Sequence, residues 1–311
     1  VGITRRGVLR AAGAVAGGAL CAGLLPACAS APPPPPARFR LATGPDGAVY
    51  REIGAVLAEV LDRAWGRPVV EIVHTEAAPE NADLLLAGGA ELGFVNVDVA
   101  AGHGARIVAL ARVFDSVLHV LVPDGPGARD LRDLDGATLA AGLPRSGTRY
   151  LTRRLLAATG GRATLLSYSQ ADSVRAFRTG AVDAVCSLTG MPTPAVSELA
   201  RSGGTRLLDL SPQIDALVRA HPLEYVPVVI PATMYPSLGT APAPAVPTLL
   251  AVPPSMDEGL AHWLTGMLFT HAPELSRARP EAGQINPRTG AATTPVVLHP
   301  GARRWFRDRK P

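Results

Sequence analysis

The residues best suited to chemistry lie in two short loops. Arg145-Ser146-Gly147-Thr148 stands between an apolar run at 137–141 and an amphipathic stretch at 149–158. Two hydroxyls and bare backbone N–H groups at a strand–loop–helix junction can hold a carboxylate. The helix dipole favours an anion there, and Arg145 or Arg149 can supply charge. A loop of the same design lies about a hundred residues earlier, where the run at 39–42 enters Thr43-Gly44-Pro45-Asp46-Gly47. Ile53, Val56, Leu57, Val60, Leu61 and Ala64 then recur with helical period. Tyr50, at the start of that helix, is placed either to cover a ligand or to pack the helix end. Asn96 and Asp98 stand at the carboxyl end of a third apolar run, and Thr189-Gly190 at that of a fourth.

Other chemistries find less support. Arg145-Ser146-Gly147 lacks the G-x-S-x-G elbow of a serine hydrolase. The seven histidines show no H-E-x-x-H or other metal spacing, so neither a metal nor a cofactor is expected. His103, His119 and His271 are isolated and read as structural. Cys186 lies in an apolar strand and reads as a small buried hydrophobe. With Cys21 and Cys28 in the leader, no disulfide is available to the body. Lys310 is the only lysine and no basic run carries interleaved aromatics, which argues against nucleic acid. The formal charge of +4 owes three positives to Arg5, Arg6 and Arg10 of the leader.

The elements that must position these loops alternate along the chain. Strands are expected at 39–42, 68–73, 91–96, 106–111 and 118–123, with helices from 53 and over 80–87. Asp124-Gly-Pro-Gly-Ala128 is a break, after which the pattern restarts. Strands at 137–141, 164–168 and 180–186 alternate with helices at 149–158 and 169–179. This predicts α/β layers with a largely parallel sheet in each half. The halves rhyme: TGPDGAVY at 43–50 answers GLPRSGTRY at 142–150, and GGAELGFVN at 88–96 answers TGAVDAVCS at 179–187. Each puts polar loops at strand carboxyl ends, where open α/β sheets bind ligands. Two such lobes facing one another form a cleft. The tail is proline-punctuated from 225 to 247, followed by a short strand at 248–252, a helix at 257–271 and a short helix around Trp305 and Phe306.

Ahead of the body, residues 1–28 read as an export leader. Arg5-Arg6 fits a twin-arginine signal, and the apolar run at 11–25 is shorter than the ~20 residues a membrane span needs. Leu25-Pro26-Ala27-Cys28 fits a lipobox with Cys28 as the lipid attachment site, the alternative being plain signal cleavage nearby. Residues 29–38 form a proline-rich linker whose five consecutive prolines favour an extended rod.

Six blocks in order (TGPDGAVYREIG, HTEAAPENADLLLAGGAELGFVNVDVA, GLPRSGTRYLTRRLLAATG, LSYSQADSVRAFRTGAVDAVCSLTGMPTPAVSELA, HPLEYVPVVIPATMYP and VVLHPGARRWF) resemble the extracytoplasmic solute-binding subunits of TRAP transporters, in the TAXI branch. The resemblance covers residues 39–308. It implies a type II periplasmic-binding-protein fold with two α/β lobes, 39–117 with 253–311 and 123–247, hinged at 118–122 and 248–252. It also implies capture of a small organic anion or amino acid and delivery to TRAP membrane permease subunits. The ligand set it implies is Thr43, Gly47, Tyr50, Asn81, Asn96, Asp98, Arg145, Ser146, Gly147, Thr148, Thr189 and Gly190. A ligand-sensing lipoprotein of a signalling system would carry the same leader and fold. The chain departs from the family at Asp46, Ala48 and Val49 and has Ala77-Ala78 where Gly-Ser is common. Asp46 can serve the first helix N-terminus itself, which moves the expected anion site to Arg145–Thr148.

Overall fold

The computed structural model describes residues 32–309; the expected export leader, the expected lipobox and Cys28 lie outside them. The first half runs β1 (Phe39–Ala42), α1 (Val49–Trp65), β2 (Val70–Val73), α2 (Ala78–Leu86), β3 (Leu92–Asn96), α3 (Val97–Gly102) and the long β4 (Val108–Pro123). The second half runs β5 (Thr138–Ala140), α4 (Gly147–Thr159), β6 (Thr164–Leu166), α5 (Gln170–Arg178), β7 (Ala184–Thr189), α6 (Pro194–Ser202), β8 (Thr205–Leu207), α7 (Ser211–Ala220), β9 (Val226–Ile230) and β10 (Ala241–Val252). The tail is helical: α8 (Glu258–Thr270), α9 (Ala272–Ala278), a 3-10 turn at Pro280–Gln284, α10 (Pro287–Gly290) and α11 (Pro300–Arg307).

Both halves use one strand order. β2, β1 and β3 are parallel, and β10 pairs antiparallel with β3. β6, β5 and β7 are parallel, and β4 pairs antiparallel with β7. The repeat read in the sequence is therefore a repeat of topology, and it gives each lobe a row of strand carboxyl ends. Ile53, Leu57 and Leu61 bury one face of α1 against the first sheet. The tail closes over the same lobe, with the rings of Trp65 and Trp263 4.9 Å apart and Phe269 stacked on Trp305 at 4.8 Å.

Two features of the sheet differ from expectation. The strands expected at 106–111 and 118–123 are one strand, β4, that passes from one lobe to the other. The polar interruption between them is absorbed locally. Arg112 donates to Asp115 at 2.6 Å, and Ser116 Oγ lies 3.0 Å from Thr248 Oγ1 on β10. The short strand expected at 248–252 is likewise the end of β10, which begins at Ala241 despite three prolines. At Pro242 and Pro244 the ladder partner of β10 is β9 alone, so a missing N–H can face the unpaired edge. The crossing between lobes consequently falls upstream of the expected hinge. Residues 118–121 of β4 pair with β7 of the second lobe, and residues 248–251 of β10 pair with β3 of the first. The passage lies near 114–117 of β4 and 245–248 of β10, beside a register shift at Thr248/Leu249.

Candidate functional site

The two rows of strand ends face one another across a cleft of about 390 Å3. Helix N-termini converge on it from both sides. Ala48, Val49 and Tyr50 come from α1 and Ala77 from the start of α2; Ser146, Gly147 and Thr148 come from α4, Ser169 and Gln170 from α5, and Pro194 from α6. Aligned peptide dipoles make such a surface favourable to an anionic group. Apolar side chains form part of the wall, chiefly Phe114, Leu143 and Leu188.

The two matched loops present different chemistry to this space. Ser146 Oγ donates to Leu143 O at 2.8 Å and accepts Arg149 N at 3.3 Å, so it caps α4 and has no proton to give a ligand. Thr148 Oγ1 accepts Leu188 N at 3.0 Å, tying α4 to β7, and keeps its own proton free. In the first lobe the N-cap of α1 is Ala48, which offers no side-chain bond. Asp46 does not cap α1. Its carboxylate is turned outward to Arg51 and His74, each at 3.4 Å. The expectation that α1 is self-served and α4 open is therefore reversed: alanine has no acceptor to offer, while the serine is committed at home.

Arg145 is not among the residues lining the cleft. Its guanidinium pairs with Glu80 at 3.2 Å and Asp83 at 2.6 Å on α2, and its N–H donates to Glu76 at 2.5 Å. The hydrogen bond to Asp83 raises its pKa further. Arg145 is thus a clasp between the lobes, because three carboxylates on or just before α2 outcompete the cleft for it. Arg149 points away as well, to Leu165 O at 2.9 Å and Ser167 Oγ at 3.1 Å.

Of the remaining expected residues, Gly47, Tyr50, Asn96, Gly147, Thr189 and Gly190 line the cleft. Tyr50 does so as a core residue: its ring stacks on Phe94 at 5.3 Å and its hydroxyl lies 3.2 Å from Thr248 Oγ1. Thr43 and Asn81 are buried behind the wall. Asn81 Nδ2 donates to Thr43 O at 2.7 Å and Phe94 O at 2.8 Å, and Thr43 Oγ1 donates to Val73 O at 3.1 Å. They brace β1 against β2 and β3 rather than meet a ligand.

Asp98 also lies away from the cleft, in a buried cluster that joins the lobes. Tyr225 donates to its carboxylate at 2.8 Å, Arg154 contacts Glu224 and donates to Tyr225 at 3.2 Å, and Tyr150 donates to Asp98 O at 3.4 Å. Burial pushes the Asp98 carboxyl up to about 6, against the opposing pull of the Tyr225 hydrogen bond and the Arg154 charge. Burial likewise pushes the Cys186 thiol up to about 12, so it is inert.

Sequence reasoning missed Phe114 and Ser116, which come from the middle of β4, where no loop or glycine signals a ligand wall. It also missed Tyr168, Ser169 and Gln170. The rule that found the first two loops, a strand end running into a helix N-terminus, would have found these. Ala77 at the start of α2 holds φ 123°, a conformation that favours glycine, on the cleft wall.

A model of the NMT1-like family matches residues 41–309. Among solved structures, the fold is similar to that of the alkanesulfonate-binding protein SsuA from Xanthomonas axonopodis pv. citri bound to MOPS, at 22% identity over 89% of this chain and 85% of that one, TM-score 0.50. It is similar to XAC2383 from Xanthomonas citri bound to ATP, at 15% identity over 88% and 95% of the two chains, TM-score 0.52. It is also similar to a putative L-cystine ABC transporter from Listeria monocytogenes, at 13% identity over 80% and 98%, TM-score 0.51. At these identities the likeness establishes a mixed α/β fold of the periplasmic-binding-protein type.

Proposed function

The chain belongs to the NMT1-like family, and on that footing we propose that it is an extracytoplasmic solute-binding protein that closes two lobes on a small molecule. The observation that carries this reading is the cleft itself: helix N-termini from both lobes converge on one space, and two strands alone pass near it between the sheets. That is a geometry for enclosing a ligand and releasing it by bending at β4 and β10. No histidine or cysteine is among the residues lining the cleft, and the Ser146 proton is given to Leu143 O.

The six sequence blocks support the finer reading, a TRAP-type subunit of the TAXI branch that hands its solute to an ion-driven permease. The Listeria structure, named as part of an ABC transporter, favours a second reading in which the permease is ATP-driven. Uptake by vesicles carrying the permease, driven either by an ion gradient or by ATP, separates the two. The leader supports export with lipidation at Cys28, which holds the body at a membrane through the proline-rich linker. Cys28→Ser would then release the protein from the membrane fraction. Native mass spectrometry of protein purified without added ligand tests the central reading: a co-purified small molecule, lost on mild unfolding, is the expected result.

A further inference from the structure

The charges around the cleft are one-sided. Four acidic residues, Asp46, Glu52, Glu76 and Glu198, are among those lining it, and no lysine, arginine or histidine is; the Asp46 carboxylate turns outward, and Glu198 meets Arg178 at 3.3 Å. Arg145 and Arg149 are turned away from it, to α2 and to Leu165, and Arg51 meets Asp46 at 3.4 Å. A second feature lies behind the wall at Gly190. The 3-10 turn at Pro280–Gln284 carries Glu281 across from the tail, 2% exposed, and neither of its carboxylate oxygens has a hydrogen-bond partner. Glu281 is seated against bare backbone: a Cβ on Gly190 would lie 2.5 Å from Glu281 Cγ. Its nearest cation is Arg279, whose Nε is 3.7 Å from Glu281 and 3.2 Å from Glu52 and hydrogen-bonds to neither. One guanidinium therefore faces two carboxylates, one buried and the other on the cleft wall.

Resting on the solute-binding reading above, we infer that the solute carries a positively charged nitrogen and no more than one carboxylate, with Glu281 and Glu52 as specificity determinants. A buried carboxylate that makes no hydrogen bond and only shares Arg279, 3.7 Å away, is costly, and a cation held at Glu52 on the cleft wall frees that guanidinium for Glu281. A single carboxylate on the solute is met by helix N-termini, each equivalent to about half a positive charge. A second carboxylate meets only like charge. The apolar wall of Phe114, Leu143 and Leu188 takes an uncharged body. This excludes dicarboxylates such as 2-oxoglutarate and places the selecting charge in the tail, remote in sequence from both glycine loops.

The test uses probes that share one skeleton, L-phenylalanine, 2-phenylethylamine and 3-phenylpropionate, with a wider panel of amino acids and alkylamines, and with glutamate and 2-oxoglutarate as dicarboxylates. Thermal shift and calorimetry on the full exported chain are read. The expected result is that amine-bearing members bind at least tenfold more tightly than their deaminated counterparts and than either dicarboxylate. Glu281→Gln is expected to weaken the amine-bearing probes about tenfold while raising the ligand-free midpoint, since it removes a buried charge. Glu52→Gln, at a half-exposed position, gives the same loss of affinity should the first variant fold poorly. Tighter binding of a dicarboxylate or a deaminated acid overturns the inference but leaves the solute-binding reading standing. So does a co-purified anion with no amine-bearing probe bound. Unchanged affinity in both variants overturns the roles of Glu281 and Glu52.

Discussion

The corner at Thr43–Tyr50 and the corner at Gly142–Tyr150 answer each other in sequence and topology, yet they have been put to different uses. The first leaves the N-terminus of α1 without a side-chain cap and sends its tyrosine into the core. The second caps α4 with Ser146, ties it to β7 through Thr148, and sends Tyr150 across to Asp98 of the other lobe. One corner stays open to the cleft; the other joins the two lobes. A repeated motif fixes where N–H groups converge, while single side chains decide whether those groups meet a ligand or the protein itself.

The widest test of this contrast is pH, because the bridging cluster hangs on a buried acid. The Asp98 carboxyl titrates at about 6 in the fold against an ordinary value of 3.8. The folded state holds that proton more tightly, so its contribution is complete below pH 4, falls as pH rises toward 6 and is gone above. That difference corresponds to roughly 3 kcal/mol. His119 works the other way. Burial pushes its imidazole down to about 4, so its contribution is present above pH 6.5 and lost as pH falls through 4. The two slopes oppose one another, and the wild-type profile is expected to be flat between them. Asp98→Asn keeps the Tyr225 partner and removes the first slope. Urea unfolding at pH 4, 5, 6 and 7 should show the variant gaining stability relative to wild type as pH rises. A constant difference across that range would mean that Asp98 does not bridge the lobes as a buried acid.

A glycine in each corner sharpens the same comparison. Gly47 and Gly142 both hold positive φ, 75° and 76°, but a Cβ at Gly47 meets nothing within 4 Å, whereas one at Gly142 lies 2.5 Å from Ser146 Oγ. Gly47→Ala should cost about 1 kcal/mol, the backbone strain alone. Gly142→Ala should cost roughly 2–3 kcal/mol, since Ser146 must also swing out of its cap. Equal losses in denaturant midpoint would show that the second corner is no more committed than the first.

The contrast also explains which parts of the molecule the sequence reveals. The strand–loop–helix grammar is local, and Gly47, Gly142 and the apolar periodicity of α1 and α4 display it openly. The division of the chain into two rhyming halves follows from that grammar. The direction of a polar side chain does not, because it depends on competitors brought from elsewhere. Arg145 looks like an anion ligand until α2 places Glu76, Glu80 and Asp83 beside it, more than 60 residues away in the chain. Asp46 looks like a cap until Arg51 and His74 claim it. β4 reads as two strands because Arg112 and Asp115 interrupt an apolar run, and only their pairing hides the break. Glu281 has no motif at all, and its place beside Gly190 comes from the tail folding back.

The helix caps give the most direct exchange between the corners. Ser146→Ala removes the acceptor for Arg149 N and should cost about 1 kcal/mol of stability. Its effect on ligand affinity should be small, because the Ser146 hydroxyl proton already belongs to Leu143 O. Ala48→Ser does the reverse: a serine at the N-cap of α1 can accept a bond from the first-turn N–H groups, which should stabilise the fold by up to about 1 kcal/mol. The same bond takes up donors that face the cleft, so affinity for a carboxylate-bearing solute should fall. Stability and affinity therefore move in opposite directions at Ala48 and separately at Ser146. If Ser146→Ala instead abolished binding while Ala48→Ser left it intact, α4 would be the anion-binding helix and the assignment of the two corners would have to be exchanged.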